Sequence, residues 1–228
     1  MSEESLDLYA KIEPMIGFYE EYEKLYEIYL EILKGYDLKV MLDIGCGNGT
    51  FLQKLGLSYE AKGIDLSREM VKIAKSKGVD AKVGDLSGVD EKFDAAFAVA
   101  DVLNYMSLSE LESFFENLKR VLKKEGIFMC DLNTLYGFEE IAAGSLNIDE
   151  EDRYLGINAE FADGVLQTDI TFFRKEESLY KKESATILQY YHDVQDIESI
   201  SALKLVKSYD FSLFGEQSDK TILIFQNL

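Results

Sequence analysis

Residues 43–49, Asp-Ile-Gly-Cys-Gly-Asn-Gly, constrain the fold of this chain more than any other stretch. They close a short apolar run at 39–44 (KVMLDI), which reads as a strand, and lead into 50–55, which reads as a helix. Glycine at every second position lets the backbone turn tightly and lets a ligand approach with no Cβ in the way. Strand, glycine loop and helix in that order open an α/β fold, whose ligands sit outside the carboxyl ends of the strands. A dinucleotide loop follows G-x-G-x-x-G. Counted from Gly45 its third glycine falls on Thr50, so that pattern fails while D-x-G-x-G-x-G is met. Taken alone, the loop is also compatible with a tight turn that binds nothing.

The flanking sequence repeats the motif. Residues 61–65 read as a second strand, and Ser67 caps a helix to about residue 77 with Met70, Val71 and Ala74 apolar. Residues 79–83 are a third strand, and 93–100 (FDAAFAVA) are apolar enough for a strand buried on both faces. Ser109 is expected to open the helix LESFFENLKRVLKK, before a fifth strand at 127–132. Strands alternating with helices imply right-handed crossovers and a parallel, doubly wound sheet. Upstream, apolar residues recur at helical spacing over 18–33 (Tyr22, Leu25, Tyr26, Tyr29, Leu33). Downstream, 153–191 alternate with period two around turns at 162–164 and 175–178, which predicts three antiparallel strands. Helical spacing returns over 193–205, and strands at 207–213 and 221–225 close the chain. With one proline, Pro14, and no low-complexity linker, we expect one domain over 1–228: an N-terminal helical segment (1–36), the main sheet, and an inserted antiparallel lid (151–192).

Two further acids convert the loop into a candidate site. Asp65 ends the second strand in GIDLS, where its carboxylate can accept both hydroxyls of a ribose. Asp85 ends the third in VGDLSG, where it can accept from an adenine amino group while Leu86 packs on the ring. With these residues, and with FDAAFAVADVLNYM, the chain resembles the class I S-adenosylmethionine-dependent methyltransferases across most of its length. The stretch from there to DLNT resembles small bacterial members that carry an inserted antiparallel sheet over the active site. The resemblance implies an α/β Rossmann-like, doubly wound, seven-stranded, mostly parallel sheet whose last strand is antiparallel, with the small three-stranded sheet added. It implies S-adenosyl-L-methionine as cofactor, held by Tyr9, Asp43, Gly45, Cys46, Gly47, Asn48, Gly49, Asp65, Leu66, Met70, Asp85, Leu86, Ala100 and Asp101. Asp43 would orient the loop or meet the methionine amino group, and Tyr9 would lie on a segment that folds over the cofactor.

Methyl transfer from a sulfonium is an in-line displacement, so the enzyme chiefly supplies proximity and a dry pocket, and a base is optional. The fourth strand is followed by Ala100-Asp101-Val102-Leu103-Asn104-Tyr105 and not by the Asn/Asp-Pro-Pro-Tyr of base or glutamine methylators. No cysteine stands there to attack a pyrimidine, and Cys46 and Cys130 also read as small core residues. These observations favour O or N of a small molecule. Asp101, Tyr105 and His192 are the candidate catalytic residues; Asn104 and Tyr105 are equally compatible with a cap and a packing aromatic, and His192 with a polar rim residue. The acceptor is expected between Asp101, Tyr105 and 190–192, under a lid whose underside carries Phe161, Phe172, Phe173, Tyr190 and Tyr191. A net charge of −19 disfavours a nucleic-acid substrate and favours a small neutral or cationic acceptor, an amine above all. Two unpaired cysteines, an acidic N-terminus and the lack of an apolar run near 20 residues lead us to expect a cytoplasmic monomer or homodimer with no membrane association. The competing readings are a non-catalytic S-adenosylmethionine-binding regulator or scaffold, an RNA-modifying methyltransferase, and a nicotinamide oxidoreductase, the last disfavoured by Thr50.

Overall fold

In the computed structural model, which describes residues 3–228, a seven-stranded sheet carries the order β10-β11-β5-β4-β1-β2-β3. β1 (Val40–Ile44) lies between β2 (Glu60–Asp65) and β4 (Phe93–Ala98), parallel to both, with β3 (Asp80–Val83) and β5 (Leu122–Asn133) outside them. β11 (Lys220–Gln226) runs antiparallel to both its neighbours, β5 and β10 (Lys204–Phe211). The chain reverses its lateral direction between β1 and β4, so the carboxyl ends of these strands frame a crevice. β11 is anchored by Ile222, Leu223, Ile224 and Phe225, all fully buried, each worth roughly 1.5–3 kcal/mol in transfer from water.

Helices cover both faces. α2 (Tyr19–Leu33) and α3 (Thr50–Leu55) bring Leu25, Tyr29 and Phe51 onto Phe97 and Ile222. On the other face α5 (Leu108–Val121) and α6 (Val194–Ile200) bury Phe115, Leu118 and Ile197. α4 (Arg68–Ser76) starts at Ser67, whose Oγ accepts the Met70 N–H at 3.1 Å, as expected from the sequence. The start of α5 differs from expectation. Ser107, not Ser109, caps it, because Glu110 reaches back to the Ser107 N–H at 2.8 Å in a capping box. The helical spacing seen to 205 also ends early, at Ile200, and the final strand pair begins at Lys204.

The N-terminal segment forms two helices, α1 (Glu3–Ile16) and α2, joined at Gly17 (φ 93°) and Phe18 (φ 52°). The inserted sheet contains the three expected strands, β7 (Arg153–Ala162), β8 (Val165–Glu176) and β9 (Leu179–Tyr190), and a fourth, β6 (Gly144–Glu150), on the edge. β6 escaped the pattern because nearly all its side chains are exposed, which leaves no apolar alternation to read. A two-residue turn at Asp163-Gly164, both with positive φ, joins β7 to β8. Leu155, Ile170, Phe172 and Ile187 on the inner face pack on Leu8 and Ile12 of α1, and Phe161 stacks on Phe138. Phe173 departs from expectation: one residue from Phe172, it lies on the opposite face beside Tyr154 and under Lys182.

Candidate active site

A cavity of about 410 Å³ opens at the carboxyl ends of β1–β4 and is roofed by α1 and α2. Tyr9, Asp43, Gly45, Cys46, Gly47, Asn48, Asp65, Leu66, Met70, Asp85, Leu86, Ala100, Asp101 and Tyr105 all line it. Gly49 does not. It caps α3 at φ 77°, and a Cβ there would stand 2.8 Å from Ala74 Cβ, so its glycine serves the packing of α3 on α4. His192 also lies elsewhere: it is buried, its Nε2 is 2.9 Å from the Met106 carbonyl oxygen, and it borders a separate small cavity with Asn133 and Thr134. Burial holds its pKa below the usual imidazole value. Tyr190 and Tyr191 are likewise absent from the described lining: Tyr190, one residue from the inward Gln189, lies on the opposite face of β9 stacked on His192, and Tyr191 packs edge-on against Phe138 and borders the small cavity. Asn104 is a buried staple: its Nδ2 donates to Tyr190 O at 2.8 Å, and its Oδ1 accepts the Asn133 N–H at 3.0 Å.

The glycine loop spends its donors internally. Gly45 and Cys46 N–H both donate to Ile64 O (2.8 and 3.0 Å), Gly49 N–H to Cys46 O (2.9 Å), and Gly47 N–H to Asp65 Oδ2 (2.8 Å). A pyrophosphate cradle needs such groups free and aimed outward. The walls are acidic instead: Glu13, Asp43, Asp65, Asp85, Asp101 and Glu110 line the cavity, with no Lys, Arg or His among its described lining residues. Asp43 is 1% exposed and its Oδ2 has no partner; burial, reinforced by Asp65, raises its pKa well above the ordinary carboxylate range. Burial raises Asp65 too, against the lowering effect of N–H donation from Ser67 and Gly47. Asp85 is lowered by hydrogen bonds from Ser87. An orphaned buried carboxylate and an acid-lined wall fit a cationic ligand rich in donors. S-adenosylmethionine is one: it has an ammonium, a sulfonium, two ribose hydroxyls and an adenine amino group. Cys46 contributes bulk only, its thiol pushed up by burial.

α1 is tied to the start of α4 and to the glycine loop by polar contacts. Asp7 Oδ1 accepts from Ser67 Oγ (2.6 Å) and the Glu69 N–H (3.3 Å), capping α4 from outside, and Glu13 accepts from Asn48 Nδ2 (2.6 Å). Sequence reasoning passed over Asp7 and Glu13, whose acids look like ordinary helix-surface residues.

At the far end of the cavity the expected fourth strand stops at Ala98, two residues early. Ala100 (φ 66°) and Asp101 (φ 55°) turn into the left-handed region, which non-glycine residues enter at a cost. Asp131, fully buried in β5, compensates by accepting the Ala100 N–H (2.8 Å) and the Asp101 N–H (3.0 Å). It also accepts from Tyr29 OH (2.9 Å) and from Lys220 Nζ (3.2 Å). Lys220 pairs in addition with the Asp101 carboxylate and with Asn133 Oδ1 (2.9 Å), and Gln189 Nε2 donates to Asp101 at 3.2 Å. The Tyr9, Tyr22 and Tyr105 side chains gather beside Asp101 in the cavity. Burial lifts Tyr9 to about 12, and Tyr22 and Tyr105 are raised as well, so all three are neutral hydroxyls at physiological pH. Tyr22 had read only as part of an apolar stripe. Asp131 had one signal, a carboxylate inside the otherwise apolar run IFMCDL, where an acid must be paired.

A Rossmann-like sheet with this loop and this acid-lined crevice defines an S-adenosylmethionine-dependent methyltransferase. The comparisons agree: residues 42–130 match the family model described as a methyltransferase domain. The chain is 27% identical over 194 residues to the putative methyltransferase YqeM of Bacillus subtilis, covering 79% of this chain and 76% of that protein. The fold matches a solved S-adenosylmethionine-dependent methyltransferase from Clostridium acetobutylicum, with TM-score 0.76, 21% identity and 96% of each chain covered. It also matches the sugar N-methyltransferase KedS8 from a Streptoalloteichus species, with TM-score 0.71, 17% identity and 96% and 91% covered. Residues 42–130 thus match a methyltransferase domain on a Rossmann-like fold, and together these findings support an S-adenosylmethionine-dependent methyltransferase.

Proposed function

We propose that this methyltransferase acts on a nitrogen or oxygen of a small molecule, with a basic amine as the acceptor best suited to the site. The observation that carries this reading is the far wall of the cavity. There the Asp101 carboxylate, gripped by Lys220 and Gln189, stands among three neutral tyrosine hydroxyls with no cationic side chain among the described lining residues. Such a wall attracts an ammonium and repels phosphate. The likeness in fold to a sugar N-methyltransferase is consistent with it.

In this reading Asp43 holds the methionine ammonium, Asp65 the ribose hydroxyls and Asp85 the adenine amino group, with Leu86 against the ring. When bound, S-adenosylmethionine supplies an activated methyl group on a sulfonium centre. Tyr9 and Tyr22 exclude water and give the acceptor hydrogen bonds that set its approach. Asp101 holds the acceptor and takes the proton its nitrogen loses, and Tyr105 closes the wall. Because His192 stands outside the cavity, no proton is routed through it. We read 1–228 as one domain, since α1 packs on the inserted sheet and the cofactor loop together.

Radiolabelled methyl transfer to a panel of small amines, phenols, carboxylates and bulk tRNA tests the proposal. We expect label on amine or hydroxyl compounds and none on tRNA; label on tRNA alone overturns it. Asp101→Asn should lower acceptor kcat/KM by about 10²–10⁴-fold while S-adenosylmethionine affinity stays unchanged.

A further inference from the structure

We propose that Lys220 is a positioning residue for methyl transfer: from the start of β11 its ammonium fixes the Asp101 carboxylate at the acceptor end of the cavity. This rests on the reading of Asp101 given above. Lys220 pairs in register with Asn133 of β5 and lies diagonally across from Asp131, so its stem runs along the sheet face under α2 and its head meets Asp101. It is 3% exposed, and every polar contact of its ammonium is with Asp101, Asp131 or Asn133.

Asp131 does not need this lysine for satisfaction, since two backbone N–H groups and Tyr29 OH already donate to it. A buried ion network is also a poor source of stability compared with apolar packing of the same volume. Asp101 does need it. Without Lys220 that carboxylate would keep one long hydrogen bond, from Gln189, and would face the negative Asp131 directly. One ammonium between two carboxylates leaves a single negative charge. Asp131 is sealed from the cavity and saturated with donors, so that charge is presented by Asp101. The titratable groups facing this cluster are Asp131 and Cys130 from β5, Tyr22, Tyr26 and Tyr29 from α2, Tyr9 from α1 and Tyr105 after β4.

The test compares Lys220→Met and Lys220→Arg with wild type by carboxylate ¹³C NMR of labelled aspartate, by calorimetric titration with S-adenosylmethionine, and by kinetics on whichever panel compound is methylated. In Lys220→Met the Asp101 carboxylate resonance should move from its wild-type position, acceptor kcat/KM should fall about tenfold to a hundredfold, and S-adenosylmethionine affinity should hold. Lys220→Arg, which keeps the charge and guards against a variant that fails to fold, should recover most of the acceptor kinetics. In Lys220→Met/Asp101→Asn the two losses should not add. An Asp101 carboxylate resonance unmoved in Lys220→Met, or a loss of cofactor affinity as large as the loss of acceptor kcat/KM, overturns the proposal. The NMR readout needs no acceptor, so a panel that returns none sinks the proposed function while leaving the Lys220–Asp101 link to stand or fall by itself.

Discussion

At the end of the cavity proposed to hold the cofactor, Asp43, Asp65 and Asp85 come from the tips of three strands within 43 residues of chain, each tip followed by its own loop or turn. At the end proposed for the acceptor, Tyr9, Tyr22, Asp101, Asp131, Gln189 and Lys220 come from two helices, three strands and the turn after β4, spread over almost the whole sequence. The first end is assembled by local geometry repeated three times. The second exists only when the sheet has closed, because Asp101 is held by partners 30, 88 and 119 positions away. Local construction tolerates drift elsewhere in the chain, whereas the distant construction depends on sheet order and on one antiparallel strand.

The sharpest way to break this asymmetry is at Asp131. Asp131→Ala leaves the Lys220 ammonium, Tyr29 hydroxyl and two left-handed N–H groups without their shared acceptor. We expect a stability loss of about 3–5 kcal/mol in chemical denaturation, with the turn at 100–101 the first to exchange its amide protons. A loss below about 1 kcal/mol would show that the acceptor end is not held through this carboxylate.

A smaller effect separates the cofactor end. The ligand-free fold raises the Asp43 pKa, while an ammonium ligand needs the carboxylate ionised, so binding expels a proton. S-adenosylmethionine affinity should therefore rise with pH through that raised pKa, by up to about tenfold per pH unit, with Asp65 acting in the same direction. In the ligand-free protein the sign is reversed: the stability associated with neutral Asp43 is present at low pH and is lost as pH rises through its folded pKa. Calorimetry across pH checks both statements, and Asp43→Asn should flatten the binding slope while weakening affinity. A wild-type affinity that stays level with pH would remove Asp43 from the ammonium site.

The smallest effect is expected at His192. Gln in its place should cost about 1 kcal/mol through the bond to Met106 and leave kcat unaltered, since the ring is outside the cavity. A pH-dependent fall in kcat would bring it back into the chemistry.

By itself the sequence determined the α/β order, the glycine loop and the strand-end acids, because each is a short-range pattern: a buried strand is apolar, a tight turn is glycine, a helix start is a cap. Even its errors were local ones. Ser107 and Ser109 can each open a helix, and only the reach of Glu110 to the Ser107 N–H distinguishes them. β6 carries too little buried surface to leave a period. Only the tertiary structure decided that α1 lies between the inserted sheet and the cavity, that His192 faces Met106, and that Gly49 is a packing glycine. It alone decided that Lys220, which in sequence is merely a charged residue before an apolar strand, ends buried between two carboxylates. The physical reason is sequence separation: a charge pairs across a sheet with whatever the strand order sets beside it, and no periodicity along the chain records that neighbour.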